Sequence, residues 1–165
     1  MAIRVKACVQ AVVFLGLIAV ALPYLASGWF EVGRVGPLPR AVGVLTAALG
    51  GGLAIWCIVL FVRVGEGTQA PTAPPKHLVT VGPYGVVRNP MLLGVTLLLA
   101  GEAIAFASLG ITLYVVAFLA VTNLLMVLVE EPSLRKRFGT EYEVYRNAVP
   151  RWLPRLRRTA AASQT

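Results

Sequence analysis

The sequence predicts an all-α integral membrane protein with four transmembrane helices and a short cytoplasmic helical segment near its C-terminal end. Three observations carry that prediction. Of the 165 residues, 58% are hydrophobic, only 13% are charged, and mean hydropathy is +0.78, which excludes an ordinary soluble domain. The apolar residues gather in four runs, each long enough to cross the hydrocarbon core of a bilayer. Lysine and arginine outnumber the acids 15 to 7, and they flank those runs instead of forming a basic face. Threading the runs in order puts 13 basic residues on one side and leaves only Arg34 and Arg40 on the other. Both termini are therefore expected in the cytoplasm. Orientation accounts for the +8 net charge, so no nucleic-acid partner is expected.

The first run, Ala7 to Ala26, follows Arg4 and Lys6 and competes with a signal peptide. Its length and the absence of a clean small-x-small cleavage site favour a retained helix, with Trp29 and Phe30 in the interfacial aromatic belt. The second run, Ala41 to Val62, carries Gly43, Ala47 and Gly51 at four-residue spacing, with Gly50 and Gly52 beside them. Small residues so spaced let helix backbones approach closely in lipid. Arg63 to Thr80, with Pro71, Pro74 and Pro75, is too polar and proline-rich to span, and reads as an extended connection on one membrane face.

The third and fourth runs, Pro90 to Ala107 and Gly110 to Val129, are joined only by residues around Ser108, which demands a tight antiparallel hairpin. Counting outward from the turn sets Asn123 opposite Gly94, and Glu130 opposite Val87 and Arg88. Asn123 and Glu130, seven apart, share a helix face. A polar groove ending in a carboxylate beside an arginine is expected. Glu102 lies deep in the third run, where hydrogen bonding to Tyr114 or Thr112 would satisfy it. Beyond Glu130 and Glu131 the chain leaves the membrane. Pro132 suits the first turn of a new helix, and Thr140 with Glu143 fits a capping box. Leu134, Phe138, Tyr142 and Tyr145 form a stripe on that helix, and residues 155–165 read as a basic tail.

The stretch Val81 to Gly94 does something other than span. Gly82-Pro83 makes a turn, Arg88 follows, and Asn89-Pro90 supplies an N-cap and a first-turn proline. The bare N–H groups of a buried helix start favour an anionic ligand group there. A metal site is not expected, since His77 is the only histidine and Cys8 and Cys57 lie apart inside apolar runs.

Gly82-Pro83-Tyr84, Arg88-Asn89-Pro90-Met91, Gly94, Glu130-Glu131-Pro132, Phe138-Gly139, Tyr142, Tyr145 and Val149 to Pro154 together resemble the isoprenylcysteine carboxyl methyltransferase family, which is related to the membrane phospholipid methyltransferases. The resemblance covers about Gly65 to Pro154. It implies a methyltransferase region over residues 63–154, behind a two-helix membrane region at 1–62. It also implies S-adenosylmethionine bound at the cytoplasmic ends of the last hairpin, under the C-terminal segment, and a lipid-like or small amphiphilic acceptor entering from the bilayer. Carried over by position, Tyr84, Arg88, Asn89, Pro90, Gly94, Glu130, Glu131, Tyr142 and Tyr145 line the cofactor site, and Asn123 joins them through the hairpin register. Glu130 and Arg88 take the catalytic roles. Methyl transfer from a sulfonium is an in-line displacement, so such a site works by positioning and excluding water. A protonated amine acceptor needs a base, and Glu130 is the best placed.

Three positions depart from the family pattern. Asn89 stands where the family has histidine, Leu92 where a tyrosine is common, and Met126 where the prenylcysteine enzymes carry arginine. The last speaks against a prenylcysteine carboxylate substrate. Asparagine-containing versions are found in many bacterial proteins, so a multi-pass protein of a bacterial cytoplasmic membrane is expected. The alternatives are a non-catalytic relative that has lost the cofactor and a nicotinamide-dependent membrane reductase. The reductases place an acidic residue directly after the glycine matching Gly94, where this chain has Val95.

Overall fold

A computed structural model of the chain describes residues 22–27, 33–66 and 75–153. The first apolar run lies outside the described residues except for its last turn, α1 (Leu22–Ser27). The aromatic pair Trp29-Phe30, the middle of the proline-rich connection and the basic tail also lie outside. The described residues contain helices and no β-strand. They form α2 (Pro37–Arg63), a 3-10 turn (Gly82–Gly85), α3 (Pro90–Phe106), α4 (Leu109–Leu125), a π-helical turn (Met126–Glu130) and α5 (Glu131–Ala148). Two helical stretches are long and apolar enough to cross a membrane: α2, and the continuous run from α4 into α5. The apolar α3 is shorter, 17 residues or about 26 Å at ~1.5 Å per residue.

α2 and α3 cross with their backbones in contact. A Cβ on Gly43 would lie 2.5 Å from the Ala105 nitrogen, and one on Gly94 2.8 Å from the Ala54 nitrogen. The seam on α2 runs through Gly43, Ala47, Gly50 and Ala54, not through the four-residue series ending at Gly51. A strict four-residue step advances about 40° around the helix each time, whereas alternating steps of four and three hold one line. Gly51 accordingly meets only the Leu98 side chain, and Gly52 has nothing near it.

The hairpin forms as the spacing predicts. Ala107 takes a left-handed conformation (φ 43°), and the Ser108 hydroxyl accepts from the Ile111 N–H at 3.3 Å to cap α4. Near this turn the two helices pack through Val95 and Leu99 on α3 against Tyr114, Val115 and Phe118 on α4. Glu102 keeps its Oε2 buried and without a hydrogen-bond partner, and the Thr112 hydroxyl donates instead to the Ser108 carbonyl at 2.9 Å.

At the other end, Gly82 supplies the positive φ (61°) that the Gly82-Pro83 turn requires, and Tyr84 is pinned in a cluster with Cys57, Val79 and the Phe61 ring. Pro90 is the first helical residue of α3, but the Asn89 side chain makes no cap hydrogen bond. After α4 the helix does not stop before Pro132; it continues through the π turn into α5. α5 kinks at Gly139 (φ 53°, ψ −125°), which is where Thr140 was expected to restart it. The capping box itself does not form. Glu143 turns away to Arg135 (2.6 Å) and Arg146 (3.1 Å), since two cations outcompete one backbone N–H for a carboxylate.

Candidate functional site

Away from the turn, the space between α3 and α4 holds a cavity of about 600 Å³. Its walls come from Phe61 of α2, the connection at Leu78 and Val79, the start of α3, the last two turns of α4, the π turn and both halves of α5. One end is charged. There Arg88, Asn89, Glu130, Glu131, Tyr142 and Tyr145 meet, with Arg137 holding the connection in place by donating to the Pro75 carbonyl at 3.2 Å. From Glu130 the cavity follows α4 toward Phe118, about 18 Å by the helical rise, past Val129, Met126, Leu125 and Thr122. That limb is apolar but for one hydroxyl, and the Thr122 hydroxyl donates to the Phe118 carbonyl of its own helix. Leu125 and Val129 are 54% and 61% exposed while lining the cavity, so this wall opens sideways onto the outer surface of α4.

The charged end is tied together by three separate segments. Arg88 lies between the 3-10 turn and α3, Glu131 at the head of α5, and Arg151 just beyond its end. One oxygen of Glu131, Oε1, accepts from Arg88 at 3.0 Å and from Arg151 at 2.6 Å. The Arg88 N–H donates to the Pro150 carbonyl at 2.9 Å, and the Tyr145 hydroxyl donates to the Tyr84 carbonyl at 2.8 Å. These bonds fold the segment after Gly139 back over the cavity.

Arg88 therefore pairs with Glu131, and not with Glu130 as the hairpin count suggested. Glu130 has no ion-pair partner among the described residues. Burial, and then the charge of Glu131, push its carboxyl above the ordinary carboxylate range. Burial also raises the hydroxyls of Tyr84, Tyr142 and Tyr145, the second opposed by its contact with Arg88, so all three remain protonated donors at neutral pH.

Of the residues singled out in the sequence, Tyr84, Arg88, Asn89, Glu130, Glu131, Tyr142 and Tyr145 come together on this cavity. Pro90 is fully buried as the first residue of α3, and Gly94 faces Gly50 and Ala54 of α2; neither lines the cavity. Asn123 is exposed and does not line the cavity, and Thr122 occupies the place expected of it. The π turn is the reason. It fits more residues into a turn than an α-helix does, so the position sharing a face with Glu130 moves back by one. Arg137 and Arg151 were not anticipated as site residues. Arg151 sits inside the Val149 to Pro154 motif, which is the signal that could have found it.

The described residues thus form an all-helical arrangement with apolar helices and, at the open end of a hairpin, a cavity that is charged at one end and apolar along the other. The family is shown by residues 38–141, which match the phospholipid methyltransferase family; the chain belongs to it, and so to a class of membrane methyltransferases. The match runs from α2 into α5 and takes in both acids of the charged end, whereas Tyr142, Tyr145 and Arg151 fall beyond it. No curated protein and no solved structure matches the chain.

Proposed function

We propose that the chain transfers a methyl group from S-adenosylmethionine to a lipid-like or small amphiphilic acceptor. One observation carries the reading: a single cavity joins a charged, hydrogen-bonding end to an apolar limb open sideways. Its size falls within the range of small-molecule sites, roughly 300–1,000 Å³. The polar atoms also suit the cofactor. Asn89 Nδ2 and Arg88 Nε are buried donors without partners, which a carboxylate or ribose oxygen would satisfy, and Glu130, on the same cavity, makes no ion pair among the described residues and could face a cation.

S-adenosylmethionine supplies an electrophilic methyl on a sulfonium. The chain's own residues bind, orient and exclude water. Arg88 and Asn89 hold the anionic end, and Glu130 faces the cationic centre. The tyrosines of α5 close the site from the water side. When the acceptor is an amine, Glu130 takes its proton; when it is an anion, Glu130 serves only as a counter-charge. The apolar limb keeps the acceptor's tail in surroundings like those it leaves. In this reading the cavity mouth lies at the cytoplasmic face of a four-helix multi-pass protein with both termini inside.

Thermal stability of the detergent-purified protein tests the reading. S-adenosylmethionine at 100 times its dissociation constant stabilises by about 2.7 kcal/mol, whereas NADPH gives no shift. A shift with NADPH alone would move the protein to the reductase class.

A further inference from the structure

We propose that Arg151 is a positioning residue for ligand capture: by holding Glu131, it frees Arg88 to pass from that carboxylate to the anionic group of the incoming ligand. The inference rests on the methyltransferase reading and names how the charged end is primed. Glu131 Oε1 is shared by two guanidinium groups, so this carboxylate stays paired when one of them leaves. Both partners are mostly buried, with the Arg88 and Glu131 side chains 13% and 17% exposed. In such surroundings an arginine cannot leave its only counter-ion without stranding a carboxylate, which is strongly unfavourable. Arg151, at 2.6 Å, removes that obstacle.

The place to which Arg88 turns is marked independently. Asn89 is 8% exposed and lines the cavity, yet its Nδ2 has no partner, and Arg88 Nε is likewise buried and unbonded. Both stand at the start of α3, a 17-residue helix whose first N–H groups are free of intrahelical bonds. The group these donors call for is an anionic oxygen pair, a carboxylate above all. Arg151 itself stays in place during the exchange, because the neighbouring Pro150 carbonyl is bonded to the main chain of Arg88, not to its side chain.

Binding of S-adenosylmethionine and of decarboxylated S-adenosylmethionine, measured by calorimetry on wild type and variants, tests this. Arg151→Ala should weaken the carboxylated ligand by about 30-fold, as expected for loss of one charge-assisted contact. The decarboxylated ligand should change by less than about threefold, since it never calls on Arg88. Arg151→Lys should restore most of the affinity. In a Glu131→Gln background Arg151→Ala should have no further effect, because no charge is left to be stranded. Equal losses for both ligands would mean that Arg151 only supports the fold, and would overturn the inference while leaving the methyltransferase reading intact. Failure of the wild type to bind either ligand would overturn both.

Discussion

Glu130 and Glu131 are neighbours in the chain with opposite surroundings. Glu131 is neutralised by two arginines, whereas Glu130 faces the cavity unpaired and holds its proton more tightly than a free carboxyl. A raised value means that the base appears only as pH climbs. Turnover of an amine acceptor should therefore rise with pH through a value above the ordinary ~4.3, and Glu130→Gln should flatten that limb while lowering methyl transfer roughly 100-fold. For stability the sign is the reverse: the folded chain binds this proton more strongly than the unfolded one, so the contribution is present at low pH and is lost as pH rises through the folded value. Glu102, near the hairpin turn and off the cavity, is the control. Glu102→Gln should leave turnover within about threefold and shift stability by no more than ~1 kcal/mol. Methyl incorporation into a lipid extract, run on both variants, decides between them. The sequence made both acids visible as chemistry but could not apportion Arg88 between two adjacent glutamates. That depends on Arg151, which returns to the site from twenty residues beyond Glu131.

At the scale of elements, three glycines should respond differently to the same added methyl. Gly50→Ala forces a Cβ into the α3 backbone and should cost about 1–3 kcal/mol. Gly52, two positions on, faces open space within the same helix, and Gly52→Ala should gain roughly 0.5–1 kcal/mol from helix propensity. Gly139 also has open space, but its φ of 53° with ψ of −125° is strained for any side chain, so Gly139→Ala should lose about 1–3 kcal/mol. Melting temperatures of the three proteins in one detergent check the order. The helices and the hairpin turn were legible because runs of apolar residues, a join of only a few residues between two of them and a proline start are local chemistry. The π turn was not. It is a change of hydrogen-bond register within the apolar sequence Met126 to Val129, which looks the same wound either way, yet it turns Asn123 outward and Thr122 inward.

For the whole molecule, the charge asymmetry of 13 against 2 predicts that the Pro71–Lys76 connection and the C-terminal tail face the cytoplasm. Cysteines placed there should resist impermeant thiol reagents in intact cells and react once the membrane is opened; labelling from outside would invert the topology. Arg88→Ala should abolish the melting shift given by S-adenosylmethionine. The family was readable because its motifs fall at the ends of helices, where turn and cap residues stand out against apolar runs. The polar groove at the hairpin end was legible too, but the full extent of the cavity was not, because its walls are drawn from separate stretches between α2 and α5 that only the crossing of α2 and α3 and the parting of α3 from α4 bring together. The sideways opening at Leu125 and Val129 has a kinetic consequence. An acceptor that arrives by lateral diffusion is counted per unit of membrane, not per unit of volume. Diluting it with inert detergent or lipid at constant bulk concentration should slow turnover in proportion, while diluting the whole sample with saturating cofactor should leave the rate per protein molecule unchanged.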